Sequence, residues 1–111
     1  MAGNNDIVQQ EDIPQQVSAI VRSLEPEAEI RLYGSRARGD CGNDSDWDFL
    51  VLLDGPVEEA RKDAIRFRLY KLEVESGELI SSFIVDREDW NSSLYQALPF
   101  HQNVGREGIP L

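Results

Sequence analysis

Residues 47–53, Trp-Asp-Phe-Leu-Val-Leu-Leu, form the most apolar run of the chain. The run is bounded by Asn43-Asp44-Ser45-Asp46 before it and Asp54-Gly55-Pro56 after it. A short, nearly continuous apolar segment between turn signals reads as a buried strand. Such a strand needs a sheet to join and helices to back it, so the surrounding sequence must supply them.

It does. Ile13, Val17, Ile20, Val21 and Leu24 recur at helical spacing, with Asp12 as a candidate N-cap and Pro14 in the first turn. Glu25-Pro26 ends that helix. Residues 29–33 alternate, Ile30 and Leu32 to one side, Arg31 and Tyr33 to the other, as a short strand does. Gly34-Ser35 stops it, and residues 36–44 read as a turn of helix and a loop. A long amphipathic helix is expected from Val57 to about Val74, with Ala60, Ala64, Phe67 or Arg68, and Leu72 near one stripe. Ser76-Gly77 breaks it. Residues 79–85 read as a third strand. Asp86 is a candidate cap for a helix carrying Trp90, Leu94 and Ala97, with Trp90, Leu94 and Phe100 expected in the core or lining a partner interface. Pro99 starts a last short helix that ends at Gly108. The fold class is therefore α+β (mixed α/β), a small mixed sheet of about three to four strands backed by helices. We expect a frayed terminus over residues 1–11 and a single domain over 12–111.

Composition narrows the function. The 111 residues carry 11 Lys+Arg against 21 Asp+Glu, a formal charge of −10. That balance disfavours stable nucleic-acid binding, which depends on cationic side chains displacing phosphate counterions. No apolar run nears the ~18 residues that cross a bilayer, so no membrane partner is expected. The opening residues are polar and acidic, unlike a signal or transit peptide. Cys41 is the only cysteine and forms no internal disulfide. A cytoplasmic location is the expectation.

The chemistry gathers around the apolar strand. Asp46 and Asp48 stand two apart at its start, so both carboxylates point to one face and repel. A divalent cation relieves that repulsion, and hard oxygen ligands suit Mg²⁺ or Mn²⁺. Upstream, Gly34 permits close backbone approach, Ser35 offers a hydroxyl and an N–H to phosphate, and Arg36 and Arg38 add guanidinium groups. His101 and Cys41 have no catalytic partner at a recognisable spacing and read as non-catalytic.

Gly34-Ser35, ten intervening residues and Asp46-x-Asp48 resemble the signature of nucleotidyltransferases of the DNA polymerase β superfamily. The string GSRARGDCGNDSDWDFLVLLD and the ending NVGREGIPL look like the minimal nucleotidyltransferase family, across roughly residues 17–111. The resemblance implies attack of an acceptor hydroxyl on the α-phosphate of a nucleoside triphosphate, with ATP as the substrate and AMP as the group transferred. Asp46 and Asp48 would be the catalytic metal ligands, and Gly34, Ser35, Arg36 and Arg38 would hold the nucleotide. It also implies a HEPN-type helical protein as partner, in a toxin–antitoxin pair, with a tyrosine of that partner as acceptor. Transfer to an antibiotic hydroxyl is a third reading, for which so short a chain leaves little acceptor-binding structure. The superfamily's third acidic position falls on Ser81 here, with Glu78 a candidate ligand if the register differs. Ser81 motivates an alternative function, a catalytically weak or inactive nucleotidyltransferase fold that acts as an antitoxin or scaffold by forming a complex.

Overall fold

The computed structural model describes residues 13–39 and 45–111. The expected frayed terminus, the Asp12 cap and loop residues 40–44, Cys41 among them, lie outside the described residues.

The order of elements is α1 (Ile13–Leu24), β1 (Glu29–Tyr33), α2 (Ser35–Arg38), β2 (Trp47–Leu53), α3 (Glu59–Ser76), β3 (Ile80–Asp86), α4 (Arg87–Trp90), α5 (Ser93–Gln96), α6 (Pro99–Glu107) and β4 (Ile109–Pro110). The strands form one mixed sheet in the order β3-β2-β1-β4. β1 runs antiparallel to both β2 and β4, whereas β2 and β3 are parallel. Parallel neighbours need a crossover, and α3 supplies it. Its C-terminus closes on Gly77, whose left-handed φ of 75° lets its N–H reach Glu73 O at 2.8 Å.

β2 is the centre of the sheet and is buried on both faces, as its composition requires. Trp47, Phe49, Val51 and Leu53 enter one core with Ile13, Val17 and Val21 of α1 and Ile65, Leu69 and Leu72 of α3. The alternate residues Leu50 and Leu52 enter a second core with Val85, Trp90 and Val104. Each such side chain, fully buried, contributes on the order of 1.5–3 kcal/mol. Strand alternation therefore puts Asp48 on the second face, beside Leu50, and Trp47 on the first.

Some expectations need correction. The buried stripe of α3 is Ile65, Leu69 and Leu72, while Ala60, Ala64 and Phe67 face solvent. Both faces of this helix carry apolar residues, so periodicity alone picks either. The helix expected after Asp86 is two short ones: Asp86 accepts from Glu88 N at 2.7 Å and caps α4, and Ser92 then caps α5. That break leaves Trp90 buried but Leu94 74% exposed, outside the core. β4 was not expected. Two residues are too few to show alternation, yet they pair with Arg31 and Leu32. No helix among the described residues is long and apolar enough to cross a membrane.

Candidate functional site

The C-terminal end of β1, the short helix α2 and the N-terminal ends of β2 and β3 meet at one edge of the sheet. In the β1–β2 register Tyr33 opposes Asp48, and in the β2–β3 register Asp48 opposes Ser81. Asp48 is thus flanked by Tyr33 on one side and by exposed Ser81 on the other, with all three on the same face.

Gly34 follows Tyr33 with φ 80° and ψ −161°, a conformation that L side chains rarely adopt. A Cβ at this position would lie 2.5 Å from Asp48 Oδ2. The absent side chain lets the backbone come close to the carboxylate. Gly34 O then accepts from Ala37 N at 3.0 Å and Arg38 N at 3.1 Å, which starts α2 with Ser35 as its first residue. Gly39, at φ 79°, closes α2 by donating its N–H to Ser35 O.

Asp48 is partly buried, and its carboxyl is held above the ordinary aspartate range, first by burial and then by the charge of Asp46. Burial also raises the Tyr33 phenol, and the Asp48 charge adds to it. Asp46 is exposed just before β2. A partly buried carboxylate with a second one two residues away, beside a glycine-lined approach, suits a small hard cation, one that keeps water or phosphate oxygens as its other ligands. Among the described residues no group of three or more His, Cys, Asp or Glu side chains is placed to hold a metal.

The other expected residues lie around this edge in different roles. The Arg36 guanidinium sits 4.2 Å above the Trp47 ring and donates to Ser45 O at 3.0 and 3.3 Å. Glu78 Oε1 accepts from the Trp47 indole N–H at 3.0 Å and lies 3.5 Å from Arg36. Glu78 is therefore engaged with Trp47, whose ring is on the opposite face from Asp48. Arg38 is more exposed and pairs with Glu107 of α6 at 3.2 Å. Tyr33 and the Arg36–Trp47–Glu78 cluster were not foreseen. The alternation of β1 placed Tyr33 correctly on the face away from Ile30, but the partner strand that makes it a neighbour of Asp48 is a matter of register. His101 stacks on Trp90 with ring centroids 4.3 Å apart, consistent with a packing role.

A family model described as nucleotidyltransferase domain matches residues 14–89. Among solved structures, a toxin–antitoxin crystallised with AMP-PNP is similar at 20% identity and a TM-score of 0.59, over 88% of this chain and 71% of that one. A toxin–antitoxin MntA–HpeT variant with two aspartates, two positions apart, changed to glutamate is similar at 18% identity and a TM-score of 0.57, over 86% and 69%. A tyrosine-to-alanine variant of MntA–HpeT is similar at 20% identity and a TM-score of 0.55, over 89% and 70%. At these identities the likeness is one of fold. No curated protein matches the chain at a significant level.

Proposed function

The chain belongs to the nucleotidyltransferase domain family, and on that premise we propose that it transfers AMP from ATP to a hydroxyl of a helical HEPN-type partner, as one half of a toxin–antitoxin pair. The observation that carries this reading is the approach of Gly34 to Asp48, with Asp46 two residues before it. Phosphate oxygens can reach the two carboxylates there only if a cation lies between them, and Gly34 leaves room for that approach. Asp46 and Asp48 would hold Mg²⁺ or Mn²⁺, which when bound would neutralise charge on the triphosphate and stabilise the attacking and leaving oxygens. The acceptor oxygen forms a bond to the α-phosphorus, the bond from that phosphorus to the bridging oxygen breaks, pyrophosphate leaves, and the hydroxyl proton passes to water.

The chain's own residues do the rest. Gly34 and Ser35 would line the β- and γ-phosphates. Arg38, at the exposed end of α2, would bring a cation to the triphosphate. Arg36, stacked on Trp47, would fix the loop that leads into Asp46 by its bonds to Ser45 O. The similar structures support a protein partner and a nucleotide, since one is a toxin–antitoxin with AMP-PNP.

One observation favours a second reading. Ser81 stands beside Asp48 in register, where a third carboxylate would complete the metal ligands. A chain lacking that charge can serve as a nucleotide-binding antitoxin that acts by complex formation alone. Incubation with the HEPN-type partner, Mg²⁺ and α-labelled ATP separates the two. Label on the partner, lost in Asp46→Ala, supports transfer. A stable complex without label, unchanged by Asp46→Ala and Asp48→Ala, supports the second reading.

A further inference from the structure

Helix α3 carries a second apolar face. Its inner face, Ile65, Leu69 and Leu72, is buried against the sheet. About half a turn round from it, Phe67, Tyr70 and Val74 are 64%, 61% and 66% exposed, and Ala60 and Ala64 are exposed on the same side. Ala60, Ala64, Phe67, Lys71 and Val74 follow the alternating four-and-three spacing of a helix–helix seam. Single exposed apolar residues are ordinary on a soluble surface, but three large ones aligned on one helix face form a patch that marks a contact.

The order of residues along the seam points to its occupant, because it is complementary to its own reverse. Ala64 lies three residues before Phe67 and Tyr70 three after. Asp63 lies four before and Lys71 four after. Ala60 lies seven before and Val74 seven after. When two such helices pack antiparallel about a two-fold axis at Phe67, each of these residues meets the one equally far on the other side, while Arg66 and Arg68 project about 100° to either side of the seam. Small Ala60 and Ala64 then face large Val74 and Tyr70, Asp63 faces Lys71 twice, and Phe67 meets its own copy. Asp63 is free to change partner, since within its own helix its carboxylate is only 3.9 Å from Arg66 and largely solvated.

Charge permits the pairing. The chain as a whole carries −10, but α3 holds five basic residues against four acidic ones. The excess negative charge therefore lies outside the contact, where distance and salt screen it. We propose that the outer face of α3 is the interface of a two-fold dimer of this chain, α3 antiparallel on α3 with Phe67 at the axis. This inference stands apart from the nucleotidyl-transfer reading, and either can fail without the other.

Sedimentation velocity on the full chain tests it. The wild type should run at twice the chain mass of 12.6 kDa in the micromolar range, and Phe67→Asp at half that. Because Phe67 is exposed, circular dichroism of Phe67→Asp should match the wild type. Asp63→Lys alone should dissociate the dimer, and Asp63→Lys with Lys71→Asp should restore it. In a Cys41→Ser background, Phe67→Cys should cross-link two chains on mild oxidation. Ala60→Cys should do so only together with Val74→Cys. A monomeric wild type, whose outer face would then serve a different protein, overturns the proposal. So does a dimer that Phe67→Asp leaves intact, or one in which Ala60→Cys alone cross-links as readily as Phe67→Cys.

Discussion

Gly34 and Asp48 are packed so closely that a Cβ on residue 34 would stand 2.5 Å from Asp48 Oδ2, so a side chain there displaces the carboxylate. The glycine also holds φ 80°, so Gly34→Ala meets both backbone strain and a clash. Together these should cost about 1–3 kcal/mol, read as a lower urea midpoint. ATP affinity in the presence of Mg²⁺ should fall further than stability does, because the displaced carboxylate is the one proposed to hold the cation. Equal stability and unchanged ATP affinity in Gly34→Ala would show that the close approach serves neither.

The Asp48 carboxyl is held above its ordinary value by burial and then by Asp46. The native state therefore binds this proton more tightly than the unfolded chain, and ionising the group costs stability. The cost is absent below the ordinary aspartate value of 3.8 and complete once pH passes the raised value. Asp48→Asn should accordingly melt higher than the wild type at neutral pH, with the difference closing as pH falls through the raised value and gone below 3.8. Thermal melts across that range check this, and a gain that persists in acid would contradict it. Mg²⁺ should raise the melting temperature of the wild type at neutral pH and leave Asp48→Asn unmoved.

Ser81 lies directly across from Asp48 on the parallel neighbour strand. Ser81→Asp would set a third carboxylate on the same face. Without a cation it should melt lower than the wild type, because like charges are brought together. With a cation it should gain more than the wild type does, and its Mn²⁺ affinity should rise by about tenfold, or about 1.4 kcal/mol. Calorimetric titration reads the change, and unaltered affinity would mean that residue 81 does not face the cation.

Arg36 and Arg38 sit two apart on α2 yet are held differently. The Arg36 side chain is only 8% exposed, stacked on Trp47 and bonded to Ser45 O. Arg36→Ala should destabilise the fold by about 2 kcal/mol, with Arg36→Lys recovering part of it. Arg38, 44% exposed and paired with Glu107, should lose no more than about 1 kcal/mol as Arg38→Ala. It should instead bind ATP more weakly, which a nucleotide titration of the folded variant reads directly.

Much of this fold could be read from residue order. The run at 47–53 reads as a buried strand, and alternation puts Asp48 and Trp47 on its opposite faces. The i, i+4 row of Ile13, Val17 and Val21 named the buried face of α1. What escaped depended on pairing between distant residues. Whether α3 turned Ile65 or Phe67 inward was settled by the sheet it crosses, not by its own period. β4 exists because β1 has a free edge for residues 109 and 110 to join. At the site, the residue types were evident. The neighbours Tyr33 and Ser81 and the engagement of Glu78 with Trp47 and Arg36 came only with register.

The most direct measurement is transfer itself. The purified chain, its HEPN-type partner, Mg²⁺ and ATP labelled at the α-phosphate should place label on the partner. The signal should vanish with Asp46→Ala, with Asp48→Asn or on chelation of the metal. A folded, partner-bound wild type that transfers no more label than Asp46→Ala would contradict nucleotidyl transfer as the role of this site.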